Sequence, residues 1–199
     1  MDWHSAIRGF KQYLQLEKSL SPNSVEAYIR DVEKLEQYLE LSGLKINPEN
    51  ITYENLLGFL KWVAEAGLIA STQSRIVSGL RGFYHYLALE DMIKKDPTEF
   101  LELPRLGRKL PEFLSNAEID TILSVIDLSK PGGERNKAMI ETLYSCGLRV
   151  SELIGLKLSN IYRSEGFIKV TGKGNKERLV PIGDEALAQV DRYTQEVRV

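Results

Sequence analysis

Two stretches in the second half of the sequence hold residues whose types and spacing are suited to handling a phosphate group. The first is LYSCGLRVSELIGL, residues 143–156, in which Arg149 follows Gly147 and stands near the predicted start of a helix. A cation there is unfavourable, because the N-terminus of a helix carries a partial positive charge. A bound anion would resolve the conflict, since the guanidinium and the free backbone N–H groups can both donate to it.

Glu152 lies three residues after Arg149 and therefore on the same face of the predicted helix. One interpretation is that this carboxylate holds the arginine in position for an anion. The other is an ordinary surface ion pair without function, contributing under about 1 kcal/mol. Spacing alone favours the ordinary pair.

The second stretch is VTGKGNKERLVPIG, residues 170–183, which at first resembles a glycine-rich loop that binds nucleotides. A dinucleotide-binding loop needs G-x-G-x-x-G between a strand and a helix, but Glu177 replaces the third glycine and a strand follows. A P-loop needs Ser or Thr after its Gly-Lys pair, and this sequence has Gly174. Both nucleotide-binding interpretations therefore fail.

The same stretch is instead typical of a β-hairpin. FIKVT and ERLVP are two β-branched runs that flank GKGNK, which predicts a loop of about five residues. Lys173 and Lys176 would then project from the tip, with Lys169 and Arg178 on the strands. These cations suit a polyanionic partner, although a solvated surface hairpin fits the pattern equally well.

A third candidate is the predicted helix STQSRIVSGLRGFYHYLAL, residues 71–89. One face is apolar, and the opposite face carries small and basic residues: Arg75, Ser78, Arg81, Gly82 and His85. Such a face is suited to DNA phosphates or to the major groove, although a solvated face is the other interpretation. Asn23, Ser24 and Tyr28 in the preceding helix are weaker DNA-binding candidates of the same kind.

Helices at the spacing expected for buried faces account for most of the first 95 residues. Their start and stop signals are Ser21-Pro22 and Gly43, then Thr52 and Gly67, then Ser71 or Thr72 with an end near Leu89. Four or five short helices with tight connections predict a compact helical domain over residues 1–95. The prolines and cations of residues 96–111, among them Arg105, Arg108 and Lys109, are typical of a linker.

Residues 112–199 predict a second, incomplete domain. Ser115 and Glu118 form a capping box for one helix, and Asp184 is the expected cap of the last. A helix at about 135–145 and the hairpin lie between them. The apolar spacing of the last helix still continues at Val199, so we expect the sequence to stop inside a domain. The fold class is therefore mainly α with a small β-hairpin or sheet.

Composition excludes several classes of protein. The net charge of −2 argues neither for nor against a nucleic-acid partner, so such a case rests on local placement of cations. No apolar run approaches a membrane span, and we expect no membrane partner. The single cysteine, Cys146, predicts a reducing, cytoplasmic location. Neither His4 nor His85 has neighbours at metal-ligand spacing, so we expect no metal site and no cofactor.

Taken together, GLRVSEL and, about twenty residues later, GKGNKERLVP resemble the tyrosine recombinase (phage integrase) family, and within it the Xer-type branch that resolves chromosome dimers. The resemblance covers essentially the whole chain. It implies that residues 1–95 are a helical, SAM-like core-binding domain that contacts DNA. It also implies that residues 112–199 are the first part of an α+β catalytic domain.

The resemblance implies a reaction and roles for individual residues. Members of the family cut and rejoin DNA without a cofactor, through a 3′-phosphotyrosyl intermediate. Arg149 matches the first catalytic arginine, which stabilises the negative charge on the phosphate in the transition state. Lys173 matches the hairpin lysine that protonates the leaving 5′ oxygen, and Glu152 matches the supporting acidic position. Implied partners are a double-stranded recombination site and a second protomer or paralogue in a tetrameric synapse.

The sequence also departs from the family pattern. It contains no H-x-x-R motif, and Tyr193 lies in the wrong context to be the nucleophile. We therefore expect this 199-residue chain to be a recombinase fragment that does not cleave DNA by itself. The other interpretation is a non-catalytic DNA-binding module related to recombinases.

Overall fold

The computed structural model describes residues 1–104, 107 and 111–198, and it describes Lys173 by its backbone only. The chain forms two compact units, Met1–Lys109 and Leu110–Val199. The predicted linker cations Arg105, Arg108 and Lys109 lie outside the described residues.

The first unit is helical and is held together by a core rich in aromatic residues. Its helices are α1 (Trp3–Leu16), α2 (Pro22–Leu41), α3 (Tyr53–Glu65) and α4 (Ala70–Leu89), with a 3₁₀ turn at Pro48–Asn50. Phe10, Phe59, Phe83 and Tyr84 are completely buried between them. Phe10 contacts Phe83 edge to face with ring centroids 5.4 Å apart, a favourable geometry for aromatic pairs.

Most of the predicted helix boundaries in this unit are confirmed. The Ser21 side chain accepts from the Ser24 N–H at the start of α2, and Thr52 forms a capping box with Asn55 at α3. Gly43 has a φ of +68°, the left-handed conformation in which helices commonly end.

The predicted cap of α4 is wrong, because Ser71 and Thr72 lie inside the first turn. Ile69 is the N-cap, with an extended backbone and no side-chain capping bond. Leu68 packs against the core, and its carbonyl accepts from Gln73 Nε2 at 2.7 Å. This anchor fixes where the helix starts, so tertiary packing determines the boundary in place of a capping side chain.

The prediction of a solvated linker from residue 96 does not hold for its first part. Thr98 and Leu101 are 1% and 2% exposed, and Leu101 belongs to the core of the first unit. The Asp96 carboxylate accepts from the Thr98 N–H at 2.7 Å and from its hydroxyl at 2.6 Å, which makes a tight turn. Arg81 donates to the Leu101 carbonyl, so this segment is fastened to α4.

In its described residues, 111–198, the second unit combines four α-helices with a small antiparallel sheet. Its elements are α5 (Asn116–Ser124), α6 (Gly133–Cys146), α7 (Val150–Ile154), β1 (Ile161–Tyr162), β2 (Phe167–Thr171), β3 (Glu177–Pro181) and α8 (Asp184–Arg192). The strands follow the order β1-β2-β3, so the predicted hairpin is confirmed and carries one additional short strand. Ser115 and Glu118 form the predicted capping box at α5.

The core of the second unit lies between the sheet and its helices. Ile168 and Val170 of β2 are 0% and 2% exposed, and they face the same side of the sheet because strand residues alternate. Leu148 and Ala186 belong to the same cluster. The fold is therefore mainly α with one small antiparallel sheet, as predicted.

The predicted cap of the last helix is also wrong by one residue. Gly183 is the N-cap of α8, and its N–H donates to the Ser145 hydroxyl at 2.9 Å. Asp184 is instead the first helical residue, where its negative charge is favourable. The α-helical part ends at Arg192 and is followed directly by a π-helical turn, Tyr193–Val197.

Among the described helices, none is both long enough and apolar enough to cross a membrane.

Candidate active site

Arg149 is positioned by the sharp connection between α6 and α7. Gly147 ends α6 with a φ of +58°, a conformation that costs most other residues energy. Leu148 is 8% exposed and anchors the connection in the core. Arg149 is then the N-cap of α7, with an extended backbone, and its side chain is 69% exposed. The guanidinium is therefore held near a helix N-terminus while most of its surface faces solvent.

Glu152 is the buried centre of the site, and it is not the ordinary surface partner that spacing alone favoured. Its side chain is 2% exposed. One carboxylate oxygen accepts from Arg149 Nη1 at 2.9 Å, and the other accepts from the Arg149 backbone N–H at 2.9 Å. The carboxylate thus satisfies a free N–H of the helix terminus and also orients the arginine side chain.

Arg178, on β3, is the second arginine on this carboxylate. Its Nη1 and Nη2 donate to Glu152 Oε1 and Oε2 at 2.7 and 2.9 Å, a bidentate arrangement. Hydrogen bonds from Arg178 and from the Arg149 backbone lower the pKa of Glu152 to about 2, against the opposing effect of burial. The carboxylate is therefore ionised over the whole neutral range.

The register of the hairpin explains why Arg178 reaches inward. Val170 pairs with Arg178, and Lys169 pairs with Leu179, so these two pairs face opposite sides of the sheet. Val170 is buried, which puts Arg178 on the inner face beside Glu152. Lys169 lies on the outer face and pairs with Glu177 at 3.3 Å.

The tip of the hairpin is a loop of five residues, 172–176, as predicted, with a 3₁₀ turn at Lys173–Asn175. The Gly172 N–H donates to the Lys176 carbonyl at 2.8 Å, which closes the base of the loop. Lys176 is exposed. The backbone of Lys173 directly follows Gly172, while its side chain lies outside what the structure describes.

The basic face predicted on α4 is exposed only in part. Arg75, Ser78 and His85 are exposed, whereas Arg81 is half-buried. Arg81 donates to the Leu101 carbonyl, so part of its donor capacity has an internal use. The Ser78 hydroxyl donates a hydrogen bond to the Ser74 carbonyl at 3.0 Å, which is a contact within the helix.

Arg75 has a partner that sequence reasoning missed. Its Nη1 donates to Asp31 Oδ2 at 2.5 Å, and the Asp31 side chain is 2% exposed. Burial raises the pKa of Asp31, opposed by the hydrogen bond from Arg75. Gly79 leaves room for this pair, since a Cβ there would lie 2.7 Å from Asp31 Oδ2. A buried acid therefore lies beneath this face of α4.

The candidates on α2 lie near its first turns. Asn23 is exposed, and Ser24 and Tyr28 are half-buried. Tyr28 packs against the core and meets Phe10 edge to face with centroids 6.3 Å apart. Its ring also occupies the space beside Gly82, where a Cβ would approach it to 3.2 Å. Tyr28 is therefore at least partly a packing residue.

Among the described residues, no group of three or more His, Cys, Asp or Glu side chains is arranged to hold a metal ion. Burial raises the pKa of the Cys146 thiol, which disfavours the reactive thiolate.

Comparison with known proteins gives the same assignment over nearly the whole chain. Residues 7–91 match the family model for the phage integrase N-terminal SAM-like domain, and residues 112–198 match the model for the phage integrase family. The chain is 43% identical to tyrosine recombinase XerD of Pseudomonas aeruginosa over 98% of its length and 65% of that protein. It is 41% identical to tyrosine recombinase XerD of Proteus mirabilis over 95% of its length and 60% of that protein.

Among solved structures, a lambda integrase tetramer bound to a Holliday junction superposes with a TM-score of 0.77. The identity is 18%, over 100% of this chain and 58% of that one, so this likeness concerns the fold. The chain spans about 60–65% of the length of the two XerD relatives. The two domain matches and these relatives establish that the chain belongs to the phage integrase family of tyrosine recombinases.

Proposed function

We propose that this chain belongs to a site-specific DNA recombinase that cleaves and rejoins DNA through a 3′-phosphotyrosyl intermediate. The observation that carries the proposal is the exposed guanidinium of Arg149, held at the start of α7 by the buried carboxylate of Glu152. Such an arrangement offers fixed donors to an anion without the cost of ordering them on binding. The XerD relatives support the same reaction.

The geometry supports the proposed roles of Arg149 and Glu152, and the resemblance to the family supports that of Lys173. A tyrosine hydroxyl gives its proton to solvent and bonds to the phosphorus, and the bond from phosphorus to the 5′ oxygen breaks. Arg149 stabilises the charge that builds on the non-bridging oxygens, and Glu152 orients it. Lys173 gives a proton to the 5′ oxygen, which leaves as a hydroxyl.

The proposed partner is double-stranded DNA, bound through exposed side chains of both units. In the first unit we assign Asn23 and the face of α4 that carries Arg75, Ser78 and His85, and in the second Lys176. A second protomer in a tetrameric synapse fits the tetramer that lambda integrase forms on a Holliday junction. A cytoplasmic location fits a DNA substrate and a chain with a single cysteine.

We infer that residues 1–199 alone bind DNA without cleaving it, because they contain no H-x-x-R motif. The second candidate is a non-catalytic DNA-binding module related to recombinases. The gene sequence after the codon for Val199 distinguishes the two. An H-x-x-R motif and a tyrosine there support the enzyme, whereas a stop codon supports the module.

The catalytic assignment is tested in a protein of the relatives' full length with a nicked suicide substrate. Arg149→Ala should slow cleavage by about 10²-fold or more, while the Kd for the site changes little. Lys173→Ala should also slow cleavage, and a 5′-bridging sulfur substrate should restore the rate because thiolate leaves without a proton. Cleavage by either variant at the wild-type rate on ordinary DNA would remove that residue from the mechanism.

DNA binding by residues 1–199 is tested separately by gel-shift titration at several salt concentrations. Ser78→Glu adds a negative charge to the proposed face of α4, where the side chain is exposed, and should weaken binding at least about tenfold at low salt. Gln15→Glu adds the same charge to an exposed position of α1 and is the matched control. Equal affinities of the two variants would contradict the assigned face.

A further inference from the structure

The bidentate contact between Arg178 and Glu152 connects two elements that sequence places far apart. Arg178 lies on β3 and Glu152 lies on α7, 26 residues apart in the chain. The Glu152 carboxylate accepts two hydrogen bonds from Arg178 and two from Arg149. One buried anion therefore fixes both the start of α7 and the hairpin.

Gly172 makes the close approach of these elements possible. A Cβ at this position would lie 3.2 Å from Arg178 Nη1 and 3.2 Å from Glu152 Oε1. The backbone of Gly172, with φ −98° and ψ −163°, is extended and open to any residue. A side chain here would press on the ion pair through space and not through the backbone conformation, and the two charged groups would have to shift by a few tenths of an ångström.

The pair also fixes the base of the loop that carries Lys173. Gly172 contacts both charged partners, its N–H is bonded to the Lys176 carbonyl, and Lys173 is the next residue. Arg178 is only 40% exposed and directs both terminal nitrogens to Glu152. Arg149 is 69% exposed, and within the described part of the chain its guanidinium hydrogen-bonds through Nη1 alone. The two arginines therefore have different uses.

Resting on the proposed function, we propose that Arg178 is a positioning residue that sets the hairpin and its lysine relative to Arg149, and is not a DNA contact. An ammonium cannot replace the planar fork, because it provides no parallel pair of donors in fixed geometry. The conservative change Arg178→Lys therefore removes the positioning while it keeps the charge. Lys169→Arg, on the outer face of β2, is the matched control.

The first measurement is hydrogen exchange on residues 1–199, which does not depend on any activity. In Arg178→Lys, the amides of Gly172 and Arg149 should exchange at least about tenfold faster. The Arg149 amide is bonded to Glu152 itself, and the Gly172 amide is bonded to Lys176 at the loop base that packs on the ion pair. The Val170 amide of the sheet and the Lys169→Arg variant should remain at wild-type rates. Unchanged exchange at Gly172 and Arg149 would overturn the proposal.

The second measurement is cleavage by the protein of full length. Arg178→Lys should slow cleavage of ordinary DNA by about 10²-fold, the scale expected for a misplacement near 1 Å. The Kd should stay within about twofold, and the 5′-bridging sulfur substrate should recover most of the loss, since the lysine is then not needed. A weaker Kd with a smaller salt slope would mean a phosphate contact instead.

The two measurements also separate this inference from the proposed function. Equal slowing on the oxygen and sulfur substrates would contradict positioning of the lysine. A wild-type protein that cleaves neither substrate would defeat the proposed reaction, and the exchange data would still decide whether Arg178 fixes the hairpin to α7.

Discussion

Arg75→Ala should destabilise the first unit through the buried carboxylate that it leaves behind. The Asp31 side chain is 2% exposed, and its Oδ2 loses its charged partner, while Oδ1 has no hydrogen-bond partner in the described residues even in the wild type. Breaking a fully buried ion pair in this way typically costs about 3–5 kcal/mol. Because Arg75 is 46% exposed, water can enter the vacated space, and we expect about 2–3 kcal/mol.

The pH dependence gives this prediction a distinctive sign. Burial raises the pKa of Asp31 in the folded wild type, and loss of Arg75 should raise it further. A carboxyl whose folded pKa lies above its unfolded value contributes more stability as the pH falls through the folded pKa. The deficit of Arg75→Ala should therefore shrink between pH 7 and about pH 4.

The assay is chemical denaturation monitored by hydrogen exchange of the amides in residues 1–104, so that the unfolding of the first unit is measured separately. Arg8→Ala, an exposed arginine on α1, is the control and should change the free energy of unfolding by less than about 0.5 kcal/mol. Asp31→Asn in the Arg75→Ala background should recover at least about 1 kcal/mol, because no buried charge remains. A deficit below about 0.5 kcal/mol, or one that is independent of pH, would refute the reasoning.

Three further predictions concern packing and the active site. Leu101→Ala should lower the free energy of unfolding of the first unit by about 2–4 kcal/mol. Leu103→Ala, at a side chain that is 46% exposed, should lower it by less than about 0.5 kcal/mol. Equal effects of the two changes in chemical denaturation would restore the interpretation of this segment as a solvated linker. The pKa of Glu152 is about 2 in the folded protein and near 4.5 in the unfolded chain, so its ionised carboxylate stabilises the second unit above pH 4.5. In the wild type this stabilisation should be lost as the pH falls from 4.5 to about 2, whereas Glu152→Gln should lack this pH dependence. Unfolding measured over that range of pH is the test. Gly133→Ala should lower the free energy of unfolding by about 1–3 kcal/mol, because its Cβ would clash with the Asp127 carbonyl. Thermal unfolding should separate it from Asn136→Ala, a near-neutral change at an exposed position of the same helix.

Features that depend on neighbouring residues were predictable from the sequence. The caps at Ser21, Thr52 and Ser115 and the hairpin loop of residues 172–176 each depend on contacts within a few positions. The boundaries that failed, at Ile69 and Gly183, lack a capping side chain. There the anchoring contact to Leu68 or Ser145 determines where the helix begins.

Among the DNA-binding candidates too, the sequence predicts local features and misses contacts between distant segments. The sequence correctly places Arg75, Ser78 and His85 on one exposed face of α4, because helical periodicity alone determines that. It does not reveal that Arg75 pairs with a buried acid, because Asp31 is 44 residues away and sits among other charged residues of α2. Of the predicted DNA contacts, Arg178 is reassigned to positioning, Tyr28 packs against the core, and Arg81 donates to the Leu101 carbonyl.

The sequence by itself determined the family, the helical character of the first unit, and the pair of motifs that carries Arg149 and Lys173. These depend on residue type and on spacing over a few positions, both of which are known from the sequence without a structure. Only the tertiary structure decided that Glu152 is buried between two arginines and that Gly172 leaves room for them. The physical reason is that burial and charge pairing depend on which distant segments come into contact, and a carboxylate's strength as a partner depends on both.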